Sequence, residues 1–213
     1  MKASSLTFIF SFLIIGFFFA QNAPAFNGKI HFKQTKGSTQ MSFNYFVKGE
    51  NVRIEELNEQ GKVVGIQLIN TKEKDLLVVS PERKLYLEAK KRRSPVNFDV
   101  EVVKTQKKKT ILDYDCFEVV AFNKQQDRKI VYWVTQDNFS FFYPLLEVLN
   151  KKEKQSLYFR KIKGMEDCWP IRSTEYVIST GKPIAKQTTI AIENKTLDNS
   201  LFEIPEDYSK FEN

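Results

Sequence analysis

The sequence predicts a mainly β protein with some helix, of the α+β class. Apolar and polar residues alternate along most of the chain, and turn-forming residues interrupt the alternation at short, regular intervals. Residues 138–150 break this pattern, because their apolar side chains recur at helical spacing. The 213 residues are enough for one domain with a sizeable core.

The strands are predicted from the alternation and from the turns between them. In residues 40–48, for example, Phe43, Tyr45 and Val47 point to one face of a strand. Turns at 48–51 and 58–61, and at Pro81-Glu82, indicate hairpins and hence an antiparallel meander. Residues 105–109 are expected to be a polar connection, and 201–208 to close the domain. The predicted strands are 26–34, 40–48, 52–57, 63–70, 75–80, 84–88, 96–103, 116–122, 129–135, 157–162, 171–180 and 184–193.

Residues 138–150 are the best helix candidate after the N-terminus. Asp137 or Ser140 is expected to cap this helix, and Pro144 fits only in its first turn. An apolar helix among strands either fills the core of the sheet or covers a cavity, and the sequence leaves both roles open. The side chains on its apolar face are Phe142, Leu145, Leu146 and Leu149.

Residues 1–25 read as a secretory signal peptide. Lys2 gives a positive start, and the apolar run 6–19 is shorter than the about 20 residues of a membrane-spanning helix. Cleavage is expected after Ala20 or Ala25, which leaves one domain, 26–213, exported to the periplasm or secreted. The alternative is an uncleaved membrane anchor.

The formal charge of +7 suits contact with an anionic lipid or an acidic partner. No nucleic-acid motif accompanies this charge, so a nucleic-acid partner is not expected. The main basic stretch either keeps sheet edges from pairing or forms a docking face for transient contact with an anionic membrane or an envelope protein. Its residues are Lys90, Lys91, Arg92 and Arg93.

Catalytic chemistry is not indicated. His31 is the sole histidine, so the sequence lacks the nucleophile and base of a hydrolase and the ligands of a zinc site. Neighbouring carboxylates, such as Glu55 and Glu56, are typical of solvated strands and turns. We expect no enzyme activity, no metal site and no cofactor.

Cys116 and Cys168 are the only cysteines. Export permits a disulfide, and closing a loop of this length stabilises a fold by about 4 kcal/mol on the chain-entropy model. We expect the two residues to be bonded; the alternatives are two buried thiols or one free thiol.

The C-terminal residues 192–208, IENKTLDNSLFEIPEDY, resemble the closing signature of a family of exported bacterial proteins of unknown function. That family belongs to the LolA/LolB-like superfamily of outer-membrane lipoprotein carriers. Other segments fit the family pattern in the same order: 26–30 (FNGKI), 45–53 (YFVKGENVR), 113–116 (DYDC) and 132–134 (YWV). Asp113 departs from the pattern, which usually has Gly there. The resemblance covers roughly residues 26–208.

The resemblance implies a LolA-like fold, in which a strongly curved antiparallel sheet forms an incomplete barrel and helix covers its concave side. In carrier members, the space between sheet and helix holds the acyl chains of lipoproteins that cross the periplasm. Carrier function transfers to this chain only as a class.

The apolar side chains of the strands and the helix are the candidate ligand-lining residues. Mostly apolar walls suit an acyl chain, and each buried methylene contributes about 0.8 kcal/mol. An ordinary packed core would use the same residues, so both interpretations stay open. The candidates are Phe43, Tyr45, Tyr86, Phe98, Trp133, Phe142, Leu145, Leu146 and Leu149.

The sequence therefore predicts a monomeric, exported protein that binds a hydrophobic ligand, such as a lipid or a lipoprotein acyl chain. The alternative is a non-catalytic structural or protein-interaction module of the cell envelope.

Overall fold

A computed structural model describes residues 24–89, 98–150 and 152–212. These residues form one open sheet with two short α-helices and a short 3-10 helix at Asn199–Phe202. The helices are α1 (Phe142–Leu149) and α2 (Lys154–Phe159). The strands are β1 (Gly28–Lys36), β2 (Thr39–Lys48), β3 (Asn51–Leu57), β4 (Val63–Asn70), β5 (Asp75–Ser80), β6 (Leu85–Glu88), β7 (Glu101–Ile111), β8 (Tyr114–Asn123), β9 (Arg128–Gln136), β10 (Cys168–Val177), β11 (Pro183–Asn194) and β12 (Ser209–Lys210).

The strand order is β12-β6-β5-β4-β3-β2-β1-β11-β10-β9-β8-β7. Neighbouring strands pair antiparallel, except that β12 pairs parallel with β6. Strands β1 to β6 follow one another as hairpins, which confirms the predicted meander. The mainly β class is therefore confirmed, although the helices are shorter than expected.

The position of α1 shows that the sheet is curved. This helix packs against both β5 and β10. Six strand-to-strand steps separate β5 from β10 in the sheet, which is about 29 Å if the sheet is flat. A helix is only about 10–12 Å wide, so it contacts both strands because the sheet bends around it.

The core lies between the concave face of the sheet and the segment that carries the two helices. Trp169 is fully buried at its centre, and its indole lies 4.6 Å from the ring of Phe142, centroid to centroid. Phe32 and Tyr45 contact the same indole from the sheet. Aromatic side chains from sheet and cover thus hold the two layers together.

Gly28 explains one element of the opening motif at 26–30. Its φ of +153° favours glycine, and a Cβ at this position would collide with the carbonyl oxygen of Glu193 on β11. Only glycine lets β1 approach β11 this closely at the start of the domain.

The helix predicted at 138–150 is shorter than expected. Residues 138–141 form a turn, and α1 begins at Phe142 because the chain tightens through a hydrogen bond from the Phe142 N–H to the Phe139 carbonyl. Neither Asp137 nor Ser140 caps it: the N-cap is Phe141, without a side-chain hydrogen bond. Pro144 lies in the first turn, as predicted.

Two other segments were assigned wrongly from the sequence. The strand predicted at 157–162 overlaps α2, whose apolar Tyr158 and Phe159 face the core from a single helical turn. The polar connection predicted at 105–109 lies inside β7, which is an edge strand with almost all its side chains exposed. An exposed edge strand lacks the apolar alternation by which strands are recognised.

The predicted strand 96–103 begins outside the described residues, and only its last three residues belong to β7. The predicted signal segment also lies outside them, except for Pro24 and Ala25. Within the described part of the chain, α1 and α2 are too short for either to span a bilayer.

Candidate functional site

A single row of paired side chains crosses the concave face from the centre of the sheet towards its β6 edge. The register places these residues directly opposite one another on six successive strands, so all of them point to the same face. The row consists of Ile30, Tyr45, Ile54, Gln67, Val78 and Leu87.

Burial changes abruptly along this row. Ile30, Tyr45 and Ile54 are 0–4% exposed beneath the helical segment. Val78 and Leu87, farther along the same face, are 37% and 39% exposed. The concave face is therefore covered over its centre, whereas apolar side chains remain accessible at its β5–β6 end. We call this end the open wall.

The open wall is continuous with the core. Leu76 shares the face of Val78 on β5 and packs against the main core cluster. Its cross-strand partner Ile69 is buried within that cluster. The wall is thus an extension of the core that the helical segment does not cover, and within residues 24–89, 98–150 and 152–212 no further layer packs on Val78 and Leu87.

Gln67 stands at the boundary between the covered and accessible parts of the row. Its side-chain oxygen Oε1 is buried and has no hydrogen-bond partner among the described residues. A buried carbonyl oxygen without a donor costs about 1–3 kcal/mol, so native proteins rarely leave one. An apolar wall with one unpaired polar atom is the arrangement expected of a small-molecule site.

Helix α1 lies beside the open wall. It packs against β5, and Lys74 Nζ lies 3.5 Å from Glu147 Oε2 across this contact. Both side chains of that ion pair are well exposed, so it contributes little. The helix ends at Asn150 in a left-handed conformation, and no side chain of the described residues caps its start. Apolar packing is the main anchor of α1, together with a 3.0 Å hydrogen bond from the Tyr143 hydroxyl to the Arg160 carbonyl.

The predicted lining residues do not form a single site. Phe43, Tyr45, Phe142, Leu145 and Leu146 are buried in the main core cluster, and Leu149 packs against it. Within the described residues, these side chains pack in one cluster.

Phe98 packs on Tyr158 of α2, with ring centroids 5.4 Å apart. It also lines a surface cavity of about 620 Å³. Three further cavities measure about 470, 290 and 180 Å³, and none of the other eight lining candidates lines any of these four.

Tyr86 and Trp133 lie on the opposite face of their strands from Leu87 and from buried Tyr132, and Trp133 also packs against the main core cluster. Tyr86 pairs with Val79 and packs in a separate small cluster with Ile204 and Tyr208 of the C-terminal segment. Trp133 lies beneath the Lys109 ammonium, 3.6 Å from its ring centroid. Burial lowers the pKa of Lys109 there.

Sequence reasoning missed the open wall itself. Residues 75–80, DLLVVS, carry apolar side chains on both faces of β5. Such a run shows that both faces are apolar but not which face remains accessible. The polar Gln67 between apolar neighbours on the same face also marks the wall. Those neighbours lie on other strands, so this feature is recognised only when the strand register is known.

The predicted docking face of Lys90, Lys91, Arg92 and Arg93 lies outside the described residues.

The predicted disulfide is absent, because Cys116 and Cys168 are both free, buried thiols. They lie on β8 and β10, and β9 runs between these strands. Two strand spacings place the Cα atoms about 9–10 Å apart, whereas a disulfide needs less than about 7 Å. Burial raises the pKa of both thiols, that of Cys168 to about 11.

The other titratable candidates are held by structural contacts. Glu55 forms an ion pair with Arg53, Oε1 to Nη2, at 2.9 Å. His31 is half-buried and shares a 2.9 Å hydrogen bond with Asn44 Oδ1. Within the described ranges, no three His, Cys, Asp or Glu side chains converge on a position that suits a metal ion.

Comparison with known protein families gives one match, to the family described as Domain of unknown function (DUF4412), over residues 26–208. The chain belongs to this family. The matched range agrees with the extent of the resemblance found in the sequence. No curated protein matches the chain.

Solved structures with a similar fold include an uncharacterised conserved protein from Thermus thermophilus. It is 10% identical, with a TM-score of 0.52 over 86% of this chain and 88% of that one. PNGF-II is 13% identical, with a TM-score of 0.45 over 85% of this chain and 30% of its own. A LolA superfamily protein from Nitrosomonas europaea is 12% identical, with a TM-score of 0.32 over 84% and 90%. The Thermus protein shares the fold, and the other two similarities are too low to support a functional conclusion.

Proposed function

We propose that this DUF4412 protein binds an acyl chain non-covalently on the open wall and acts as a carrier rather than a catalyst. The observation that carries the proposal is the inner-face row, which passes from buried Ile54, through the single polar residue Gln67, to the exposed apolar side chains of Val78 and Leu87. An acyl chain laid along this wall completes the layer that the helical segment leaves open.

The unpaired oxygen of Gln67 supports a ligand that has a polar group next to its chain. A hydroxyl or amide N–H in the ligand would donate to Oε1 and remove the cost of the unpaired acceptor. The apolar wall supplies affinity, and this one polar atom would fix the position of the ligand.

Helix α1 is the element that would shift to admit a longer chain. It is short, its one ion pair across the β5 contact is exposed, and it borders the wall through β5. Its displacement exposes apolar surface on both the helix and the sheet, where further methylenes would each contribute about 0.8 kcal/mol.

Export to the periplasm or outside the cell, a monomeric state and transient contact with a membrane or an envelope protein belong to the same proposal. A carrier needs a donor and an acceptor for its ligand. The absence of a nucleophile–base pair in the sequence fits transfer without bond breaking.

A titration with a fluorescent polyene fatty acid tests the proposal. Val78→Glu places a charge on the open wall and is expected to weaken binding by about tenfold or more. Val103→Glu is the matched control. Val103 is 49% exposed on β7 and pairs with Val120. Because the next residue, Ala121, is buried on the concave face, Val120 and Val103 lie on the outer face, away from the open wall.

The expected result is saturable binding by wild type and Val103→Glu and weak binding by Val78→Glu. Failure of the wild type to bind the probe, or equal binding by the two variants, would overturn the proposal.

One observation favours a second function, a non-catalytic interaction module of the cell envelope. The side chains of the chain itself fill the centre of the concave face, around Trp169 and Phe142. Such a module would bind a protein partner and leave the fatty-acid probe in solution.

A further inference from the structure

The cavity of about 470 Å³ lies between the sheet and the chain that leads into α2. Strands β1, β2, β9, β10 and β11 contribute to its walls. It is distinct from the open wall, since Val78 and Leu87 do not line it. Its most buried charged side chain is Glu175, which is 7% exposed.

Three cations from three separate elements converge around Glu175. Arg128 Nε on β9 lies 3.3 Å from Glu175 Oε1. Lys36 at the end of β1 and Lys154 at the start of α2 also line the cavity and act electrostatically on Glu175. Lys152, Lys186 and Glu153 also line the cavity, so five cations face two carboxylates and the net charge of the lining is about +3.

Neither Lys36 nor Lys154 forms an ion pair with a carboxylate among the described residues, although Glu153 also lines the cavity. Lys154 Nζ donates to the neutral Gln126 Oε1 at 2.7 Å. Lys36 makes no ion pair within the described part of the chain and is solvent-exposed at the cavity. Ammonium groups that converge on a cavity without sufficient counter-charge attract an anion of matching charge.

We infer that this cavity is a binding site for a phosphate group, held by Lys36, Lys154 and Arg128. A phosphate dianion offsets most of the local excess of positive charge, and the cavity is large enough for phosphate together with water. Two sources carry this chemistry, the phosphate of a lipid headgroup and free inorganic phosphate. The site is independent of acyl-chain binding on the open wall.

Isothermal titration with inorganic phosphate at low ionic strength tests the site. Lys36→Gln combined with Lys154→Gln is expected to weaken binding by about tenfold or more, because two charge-assisted hydrogen bonds are lost. Lys33→Gln combined with Lys62→Gln is the control, since it removes the same charge and neither lysine lines the cavity. Lys33 lies on the same strand as Lys36.

Saturable binding by wild type and by the control, with loss in the cavity variant, supports the site. Absent binding in the wild type, or equal affinities in the two variants, overturns it. Circular dichroism and thermal unfolding confirm that both variants are folded.

A parallel titration with monomeric lysophosphatidic acid identifies the source of the phosphate. If lysophosphatidic acid binds at least tenfold more tightly than phosphate and its binding depends on Lys36 and Lys154, the result supports the site and assigns it to a lipid headgroup. Equal affinities support the site and assign it to the free anion. Tighter binding that the cavity variant retains places the lipid elsewhere and counts against a headgroup in this cavity.

Discussion

The indole N–H of Trp169 donates a hydrogen bond to Thr189 Oγ1 at 3.0 Å, and both side chains are buried in the core. This bond ties the centre of the aromatic cluster on β10 to the neighbouring strand β11. A polar contact therefore fixes the position of the largest side chain in an otherwise apolar layer.

Replacing Thr189 with Val keeps the shape of the side chain and leaves the indole N–H without an acceptor. We expect the free energy of unfolding in urea to fall by about 1–3 kcal/mol. In a Trp169→Phe background the same replacement should cost much less, because the donor is gone. An equal cost in both backgrounds would show that the hydrogen bond contributes nothing.

Gln67→Leu should stabilise the ligand-free protein by about 1–2 kcal/mol, since it removes a buried acceptor that has no donor. Gln187→Leu is the control, for which we expect the opposite effect on stability. Gln187 donates a hydrogen bond to the Pro170 carbonyl and accepts one from Gln34, so losing its side-chain amide should destabilise the folded protein. Urea unfolding measures both variants. A destabilised Gln67→Leu would mean that Gln67 already has a partner.

The stability of the protein should depend on the protonation of Glu175. Burial raises the pKa of this carboxyl above its usual 4.5 in spite of the neighbouring cations, of which Arg128 acts most strongly. The folded state therefore holds the proton more tightly than the unfolded state. The resulting stabilisation is present below the unfolded pKa and is lost as pH rises through the folded pKa.

Glu175→Gln removes this dependence. Between about pH 4 and about pH 7, its free energy of unfolding should rise relative to that of the wild type. A constant difference at all pH values would show that Glu175 titrates alike in both states.

The two thiols should be free in protein purified under oxidising conditions. Alkylation after denaturation without reductant should add two groups per chain, whereas the native protein should react slowly because burial keeps both thiols protonated. Mass spectrometry counts the groups. A mass without alkyl groups would indicate a disulfide and a different pairing of β8, β9 and β10.

The sequence was sufficient to predict much of the sheet, and it failed for identifiable physical reasons. Strands that bury one face, such as β2 and β8, carry the alternation that burial requires. β7 does not, because an edge strand exposed on both faces is under no such constraint. Helix α2 is a single turn, too short for helical spacing to emerge.

The sequence predicts an apolar ligand site but not the residues that form the open wall. Alternation divides a strand into two faces, but the register and the covering segment decide which face is concave. For that reason the predicted lining set includes Tyr86 and Trp133, which face away from Leu87 and Tyr132, and it omits Val78 and Leu87. The orphan oxygen of Gln67 is visible only when its neighbours in space are known.

The most direct test of acyl-chain binding is photo-crosslinking with a fatty acid that carries a diazirine near the end of its chain, followed by peptide mapping. Binding on the open wall predicts labels on β5 and β6, around Val78 and Leu87, that excess unlabelled fatty acid suppresses. Labels confined to the outer face, or labelling that competitor does not reduce, would contradict the account.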